Sequence, residues 1–507
     1  MARAERRRGG GRQARVALRA MGPAVNPCPP GAAGGTYRPL TEAQIAAIID
    51  TAFRLLEELG MGEVPERLTT DLVAAGATVQ ENRVLIPRTL TLRAIDLAAK
   101  RFTLHGRDPA RSIEVGGDAV HFGTGGAAVQ TLDLDTGLYR AATLADLHDF
   151  TRLQDTLRNV SWFTRCCVAT DMVGDLELDT NTVHALLRNT TKPVATSITT
   201  RDTMPNVLRL LDIAAGGPGK FAERPFLKVH ISPVISPMRF GADAIDVLYG
   251  CVEANIPVSC ITAAQSGATA PATLAGFLAQ SLAETLASLV AVNVLRPGHP
   301  MVFSNWPLVI DLRTGAFAGG GGEIAVMNAA SAQLSNHLGL PSGVACSMTD
   351  AKAIDAQHGA EKALTALAAR LAGGNLIYES SGMTASLLGA SFEAFILDDE
   401  MHSGIYRILR GVEVSDASLG FETIRNAVLG EGHFLGHADT YAAMERDYHY
   451  PELADRQSPK SWEDAGATTA WARANARARR ILETHHPTYL SADQEAAMRD
   501  VAPIKSA

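Results

Sequence analysis

The sequence predicts an α/β fold: a (β/α)8 TIM-type barrel carrying an N-terminal α+β cap and a helical C-terminal extension. Three observations point there. Eight short apolar, β-branched-rich runs recur between Asn159 and Met401, mostly separated by Ala/Leu-rich amphipathic stretches. Nearly all of them end in Ser, Thr, His, Asn, Glu or Asp, the residue types a barrel gathers where its strands stop. A doubly wound sheet shares the alternation, but it places a glycine-rich phosphate turn after its first strand, and the first run here ends CCVATDMVGD.

Residues 1–36 are dominated by Gly, Pro and Arg and read as a disordered basic arm. Arg6, Arg7 and Arg8 are not followed by the apolar segment of a signal peptide, and a start at Met21 would account for the arm equally well. Residues 37–142 read as the α+β cap. A helix over 40–60 is expected there, with Thr41 as N-cap and Gly60 as its stop. The runs FTLHG, RSIEVGG, AVHFGTGG and AAVQTLDLDTGLYR follow as antiparallel hairpins, punctuated by Gly-Gly, Arg-Asp-Pro and Asp-Thr-Gly. The barrel occupies 143–412. A helix from Thr143 leads into strands expected at 159–168, 192–199, 226–235, 257–264, 301–307, 341–348, 376–382 and 395–401. Residues 413–507 form the extension. Its charged last helix, WARANARARRILETHH, packs on the outside or against a partner subunit, so a homo-oligomer is expected.

Composition narrows the function classes. The 507 residues are 46% hydrophobic and 20% charged, with mean hydropathy +0.04, which supplies a large core. A net charge of −8 opposes nucleic acid as the principal partner. No apolar run of about 18 residues is apparent, so no membrane span is expected. Cys28, Cys166, Cys167, Cys251, Cys260 and Cys346 form no CxxC pair and read as core-filling thiols in a reducing cytoplasm.

The strand ends then supply the candidate site. They bring Thr170, Ser197, Thr199, His230, Ser232, Thr262 and Gln265, then Ser304, Asn305, Trp306, Ser347, Thr349 and Asp350. Glu379, Ser380, Asp398, Asp399 and Glu400 complete the rim, and His358 follows in DAQHGAEK. A mouth rich in carboxylates and poor in Lys and Arg suits a cation and repels phosphate. Helix capping or ion pairing explains any one of these acids equally well. No metal site is expected: His433 and His437 in GHFLGH are flanked by glycines and read as packing or subunit contacts, and no Cys/His set has zinc spacing. A G-x-S-x-G nucleophile elbow is absent. Two glycine clusters stand out, GTGG at 123–126 and Gly319, Gly320, Gly321 and Gly322. Glu323 at the end of the second opposes phosphate. A loop without side chains lets a bulky planar ligand approach, lets a lid move, or is a simple turn.

The stretch ITAAQSGATAPATLAGFLAQSLAETLASLVAVNVLRPGHPMVFSNWP resembles the trimethylamine methyltransferase family. So do RTGAFAGGGGE, NAASAQLSNHLGLP, MTDAKAIDAQHGAEKAL, NLIYESSGM, ILDDEM and GHFLGH. The resemblance covers the chain from about residue 40 onward. It implies a barrel enzyme that passes a substrate methyl group to cob(I)alamin (a corrinoid) held on a separate, cognate corrinoid protein. The founding members carry pyrrolysine, which this chain lacks. It is therefore similar to the glycine betaine:corrinoid methyltransferases, and a quaternary amine of betaine type is expected rather than trimethylamine. A non-catalytic barrel that binds a betaine or a corrinoid partner, a methyltransferase acting on trimethylamine, and an unrelated barrel enzyme such as a lyase acting on a small cation stay open as alternatives. The expected substrate residues are His358, Asp350, Glu379, Asp398 and the aromatics Trp306, Phe122 and Tyr378, with Phe317 in the glycine loop. The corrinoid is expected to meet Gly319, Gly320, Gly321, Gly322 and Asn305. His358 is expected to reach the mouth and orient a betaine carboxylate while Asp355 or Asp350 fixes its other ring nitrogen.

Overall fold

The computed structural model describes residues 35–505, so the basic arm lies, apart from Gly35 and Thr36, outside the described residues. The fold is α/β. Eight short segments pair in parallel: β1 (His121–Phe122), β2 (Phe163–Thr164), β3 (Val194–Thr196), β4 (Leu227–Ile231), β5 (Val258–Thr262), β6 (Met301–Asn305), β7 (Gly343–Ala345) and β8 (Leu376–Tyr378). Strands β2 to β6 form one sheet in chain order. Strands β7, β8 and β1 form a second, with β8 in the middle. Isolated parallel bridges join the two sheets at both edges, Phe303 with Ser342 and Gly123 with Trp162. Phe303 N donates to Pro341 O at 2.7 Å and Ser161 N to Phe122 O at 2.9 Å along the same seams. The strands are buried on both faces, which is why they read as apolar runs rather than alternating ones.

The expected runs from 159–168 to 376–382 contain β2 to β8. The run at 395–401 is not a strand. It lies inside the helix Phe392–Arg410, whose N-cap Ser391 accepts from Ala394 N at 3.2 Å. Phe392, Phe395, Ile396, His402, Ile405 and Tyr406 are its buried stripe, a 3.6-residue period cut short by the apolar run that was singled out. The place beside β8 belongs to β1, which the sequence puts in an antiparallel hairpin. Consequently Asp398, Asp399 and Glu400 do not stand at a strand end. Asp399 accepts from Asn159 N at 2.7 Å, and Glu400 holds the amides of Glu452, Leu453 and Ala454.

The other hairpins form as expected, Phe102–Leu104 with Ile113–Val115 and Gln130–Leu132 with Tyr139–Ala141. Gly389–Ser391 extends the second in parallel. Thr41 makes a capping box with Gln44, and Gly60 ends the first helix after a π-turn. The helix Leu274–Leu295 is apolar all round because it is sandwiched. It touches β5 and β6 on one side and the helices Glu42–Arg54 and Arg88–Leu97 on the other. It is long and apolar enough to cross a membrane, contrary to the expectation that no such run exists, yet 83% of that stretch is buried inside the protein. The charged helix Ala470–Thr484 packs on Phe392–Arg410 and is not the last, since Ala492–Val501 follows it and packs on Met204–Ala215. Cys166, Cys167, Cys251, Cys260 and Cys346 are buried free thiols; Cys28 lies outside the described residues.

Candidate functional site

Cavities mark the two ends of the parallel strands. One of about 720 Å³ is lined by residues ahead of β1, β7 and β8, among them Asp118, Leu340 and Gly373. In folds of parallel strands with helical crossovers, that end serves stability rather than chemistry. The other, about 470 Å³, opens past the C-terminal ends, with Gly126, Arg165, Ser197, His230, Trp306 and Glu379 in its wall.

Glu379 directly follows β8 and is 2% exposed. Its backbone is left-handed (φ +61°), a conformation a glutamate rarely adopts, and it sits where the carboxyl group meets the cavity. Gly125 and Gly126 press against that carboxyl. A Cβ on Gly125 would stand 2.7 Å from Oε1, and one on Gly126 2.9 Å from Oε2. The GTGG cluster therefore removes side chains to let the acid in. Glu379 Oε2 has no hydrogen-bond partner among the described residues. Burial pushes the Glu379 carboxyl up to about 8, outweighing the Gly126 amide and the Lys362 charge, which pull it down. Trp306 Nε1 and Thr262 Oγ1, at the neighbouring strand ends, are also without partners. Glu379 and Trp306 both line the cavity, whereas Thr262 does not.

Below the cavity is a polar layer in which the expected His230, Ser304 and Tyr378 are joined by Lys228, Ser259 and Thr164, which the strand-end pattern does not single out. Lys228 is 1% exposed; its Nζ lies 2.5 Å from His230 Nε2 and donates to Tyr378 Oη at 2.7 Å. Ser259 Oγ joins Tyr378 Oη and Ser304 Oγ at 2.8 Å each, and Thr164 Oγ1 lies 3.3 Å from His230 Nε2. Burial holds the Lys228 ammonium and the His230 imidazolium well below their ordinary values, which favours neutral forms. Trp162, Trp306 and His230 surround the Tyr378 ring, with centroids 4.6, 4.9 and 5.2 Å away. The signal for Lys228 was present: it is two residues before His230, so both side chains share one face of β4.

The structure brings together some of the expected residues and separates others. Trp306 and Glu379 line the cavity, and Tyr378 lies beneath it. His358 and Asp398 line a different cavity, about 620 Å³, against the start of the helix Ala470–Thr484. There Lys362 Nζ pairs with Asp398 Oδ2 at 2.8 Å, and His358 Nε2 is 3.9 Å from Asp398 Oδ1. Neither ring nitrogen of His358 is hydrogen-bonded among the described residues, and burial lowers its value to about 3. Asp355 does not fix that ring; its carboxylate caps the helix, accepting from Gln357 N at 2.9 Å and His358 N at 3.2 Å. Phe122 stacks on His402 at 3.9 Å within the layer between β1 and Phe392–Arg410. Asp350 accepts from Gly319 N at 2.8 Å, Gly320 N at 3.3 Å and Ser386 Oγ at 2.8 Å. Gly319 and Gly320 are thereby buried, whereas Gly321 is half-buried and Gly322 exposed. Asn305 is enclosed: its Oδ1 accepts from Ser281 Oγ and its carbonyl from Ser331 Oγ. His437 Nδ1 caps the helix Ala438–Arg446, and His433 lies in the preceding turn.

The chain belongs to the trimethylamine methyltransferase family: residues 7–506 match Trimethylamine methyltransferase (MTTB). It is similar to the glycine betaine methyltransferase of Desulfitobacterium hafniense (strain Y51), with 28% identity over 463 residues, 91% of this chain and 96% of that one. It is 30% identical to trimethylamine methyltransferase MttB of Desulfitobacterium hafniense (strain DSM 10664 / DCB-2), over 91% and 92% of the two chains. The solved monomethylamine methyltransferase (MtmB) of Methanosarcina barkeri superposes with a TM-score of 0.48 at 13% identity, covering 87% of each chain.

Proposed function

We propose that this protein takes a methyl group from a small quaternary amine of betaine type and passes it to the corrinoid of a cognate partner protein. The observation that carries the reading is the buried Glu379 carboxyl, with Oε2 free of partners among the described residues, in the wall of the cavity that Trp306 also lines. A quaternary ammonium offers no N–H donor, so it is held by charge and by aromatic faces. Glu379 supplies the first and Trp306 the second, while the glycines of 123–126 leave room for both. The corrinoid, when bound, supplies the nucleophile, so the chain itself needs only to position the methyl group and exclude water. Of the residues expected to meet it, Gly321 and Gly322 are accessible and Asn305 is not.

The same proposal takes the eight parallel segments as a closed (β/α)8 barrel, supported by the bridges at both sheet edges. The cap 37–142 then contributes β1 to the barrel, and 413–507 is the extension. A cytoplasmic location fits the five buried free thiols. A homo-oligomer fits the exposed apolar side chains Val412, Val414, Phe421, Val428, Leu429 and Leu435.

The test is spectroscopic. Purified protein is mixed with reduced cobalamin and, in turn, glycine betaine, proline betaine, carnitine, γ-butyrobetaine and trimethylamine, and the absorbance change of cobalamin methylation is followed. Methylation with at least one betaine is expected. Methylation by trimethylamine alone, or by none of the five, overturns the reading.

A further inference from the structure

The cavity that holds Glu379 carries a second charged group of opposite sign. Arg165 immediately follows β2 and lines the same 470 Å³ space. Its guanidinium forms no ion pair and no side-chain hydrogen bond among the described residues, although its backbone N–H donates to Ala195 O at 3.1 Å. Arg165 is half-buried and lines the cavity with its donors free of protein acceptors among the described residues, which favours an anion there.

Nearby acids do not fill that role. Asp179 is an electrostatic neighbour of Arg165, but its oxygens accept from Thr199 N at 2.9 Å, Thr199 Oγ1 at 2.8 Å and Thr203 Oγ1 at 2.6 Å. Asp243 lines the cavity from an exposed position in the first turn of its helix and makes no ion pair among the described residues. Glu379 has Lys362, not Arg165, as its charged neighbour. Strand order explains the separation. Glu379 follows β8 and Arg165 follows β2, with β1 between them, and two strand spacings put the backbones about 10 Å apart. The hydroxyls of Ser197, Thr199 and Ser232 lie in the same wall and add donors for an anion.

We infer that Arg165 anchors a carboxylate of the substrate, so that the cavity is bipolar and selects zwitterionic betaines over quaternary amines that lack an acid group. The inference rests on the ammonium reading of Glu379 and Trp306 and adds the opposite pole to it. Arg165 is a specificity residue in this account. It reads the part of the substrate that does not react, and its planar fork matches a carboxylate in a way an ammonium cannot.

Calorimetric titration of the full chain with glycine betaine, choline and tetramethylammonium separates the possibilities. The unsubstituted protein is expected to bind glycine betaine at least about tenfold more tightly than choline, which has the same trimethylammonium head without the carboxylate. Arg165→Met is expected to weaken glycine betaine by about 30-fold and change tetramethylammonium by less than about twofold, with Arg165→Lys intermediate. Equal losses for all three ligands, or undiminished glycine betaine binding, overturn the assignment. Should Arg165→Met not fold, the choline comparison on the unsubstituted protein and the Arg165→Lys titration still decide it. If the unsubstituted protein binds none of the three, the ammonium reading falls and this inference with it. If it binds tetramethylammonium yet does not favour glycine betaine over choline, the Arg165 assignment alone falls.

Discussion

Gly125 and Gly126 lie against Glu379, and Gly319 and Gly320 lie against Asp350, yet the two carboxylates have opposite fates. At 319–320 the glycine amides turn toward the acid, Ser386 adds a third donor, and Asp350 is spent on holding the loop. At 125–126 only the Gly126 amide bonds the acid, and Oε2 of Glu379 has no partner among the described residues in a buried site. Both clusters look alike as sequence: a short glycine run and a distant acid. The difference teaches that the donor count around an acid, not its presence at a strand end, separates a carboxylate spent on structure from one with an oxygen to spare.

That contrast is broken most directly by exchanging the acids for neutral residues. Glu379→Gln should lower betaine affinity by about 100-fold, or about 2.7 kcal/mol, because it removes the charge opposite the ammonium. It should leave the thermal midpoint unchanged or higher, since a costly buried ionisable group is gone. Titration calorimetry and a melting curve on the same preparation test both halves, and a large loss of stability would move Glu379 into the structural class. Asp350→Ala should do the reverse. Losing three hydrogen bonds to a charged acceptor should cost about 2 kcal/mol of unfolding free energy in a denaturant titration, with betaine affinity within about threefold. A selective loss of affinity with stability intact would erase the distinction.

The smallest effect is in the pH dependence. With the Glu379 carboxyl pushed up to about 8, the empty site is mostly protonated at neutral pH, and a quaternary ammonium must displace that proton. Apparent affinity should rise about tenfold per pH unit from 6 toward 8 and level off above it. The empty protein should show the opposite sign. Because the folded value lies above the unfolded one, this group's contribution to stability is fully present at low pH. It is lost as pH rises from the ordinary carboxylate range through 8. A flat affinity profile between 6 and 8, measured by calorimetry, would mean that Glu379 is already ionised or does not face the ligand.

Particular residues show where sequence reasoning worked. Thr41 and Thr143 sit at N-caps because a hydroxyl followed three residues later by Gln44 or Asp146 satisfies helix-end amides locally. Glu379 and Trp306 reach the cavity as expected from their positions just past β8 and β6. Arg165 was missed because the run 159–168 was read as one strand with its end at Thr170, whereas β2 stops at Thr164 and the next residue already lines the cavity. His358, Asp398 and Phe122 come close to the expected positions along the chain, but helix rotation and sheet face turn them elsewhere.

By itself the sequence determined what depends on neighbours along the chain: the family, the caps, the positions of β2 to β8, and the hairpins 102–115 and 130–141. Each is set by periodicity or by a hydrogen bond spanning a few residues. Only the tertiary structure decided which segment completes the set of parallel strands. The apolar run at 395–401 and the two residues of β1 both fit a strand on local grounds. What separates them is that His121–Phe122 finds its partner more than 250 residues away, at Leu376–Ile377. The tertiary structure also decided which carboxylate goes unsatisfied. That depends on how many donors converge on it from distant segments, and no local pattern counts them.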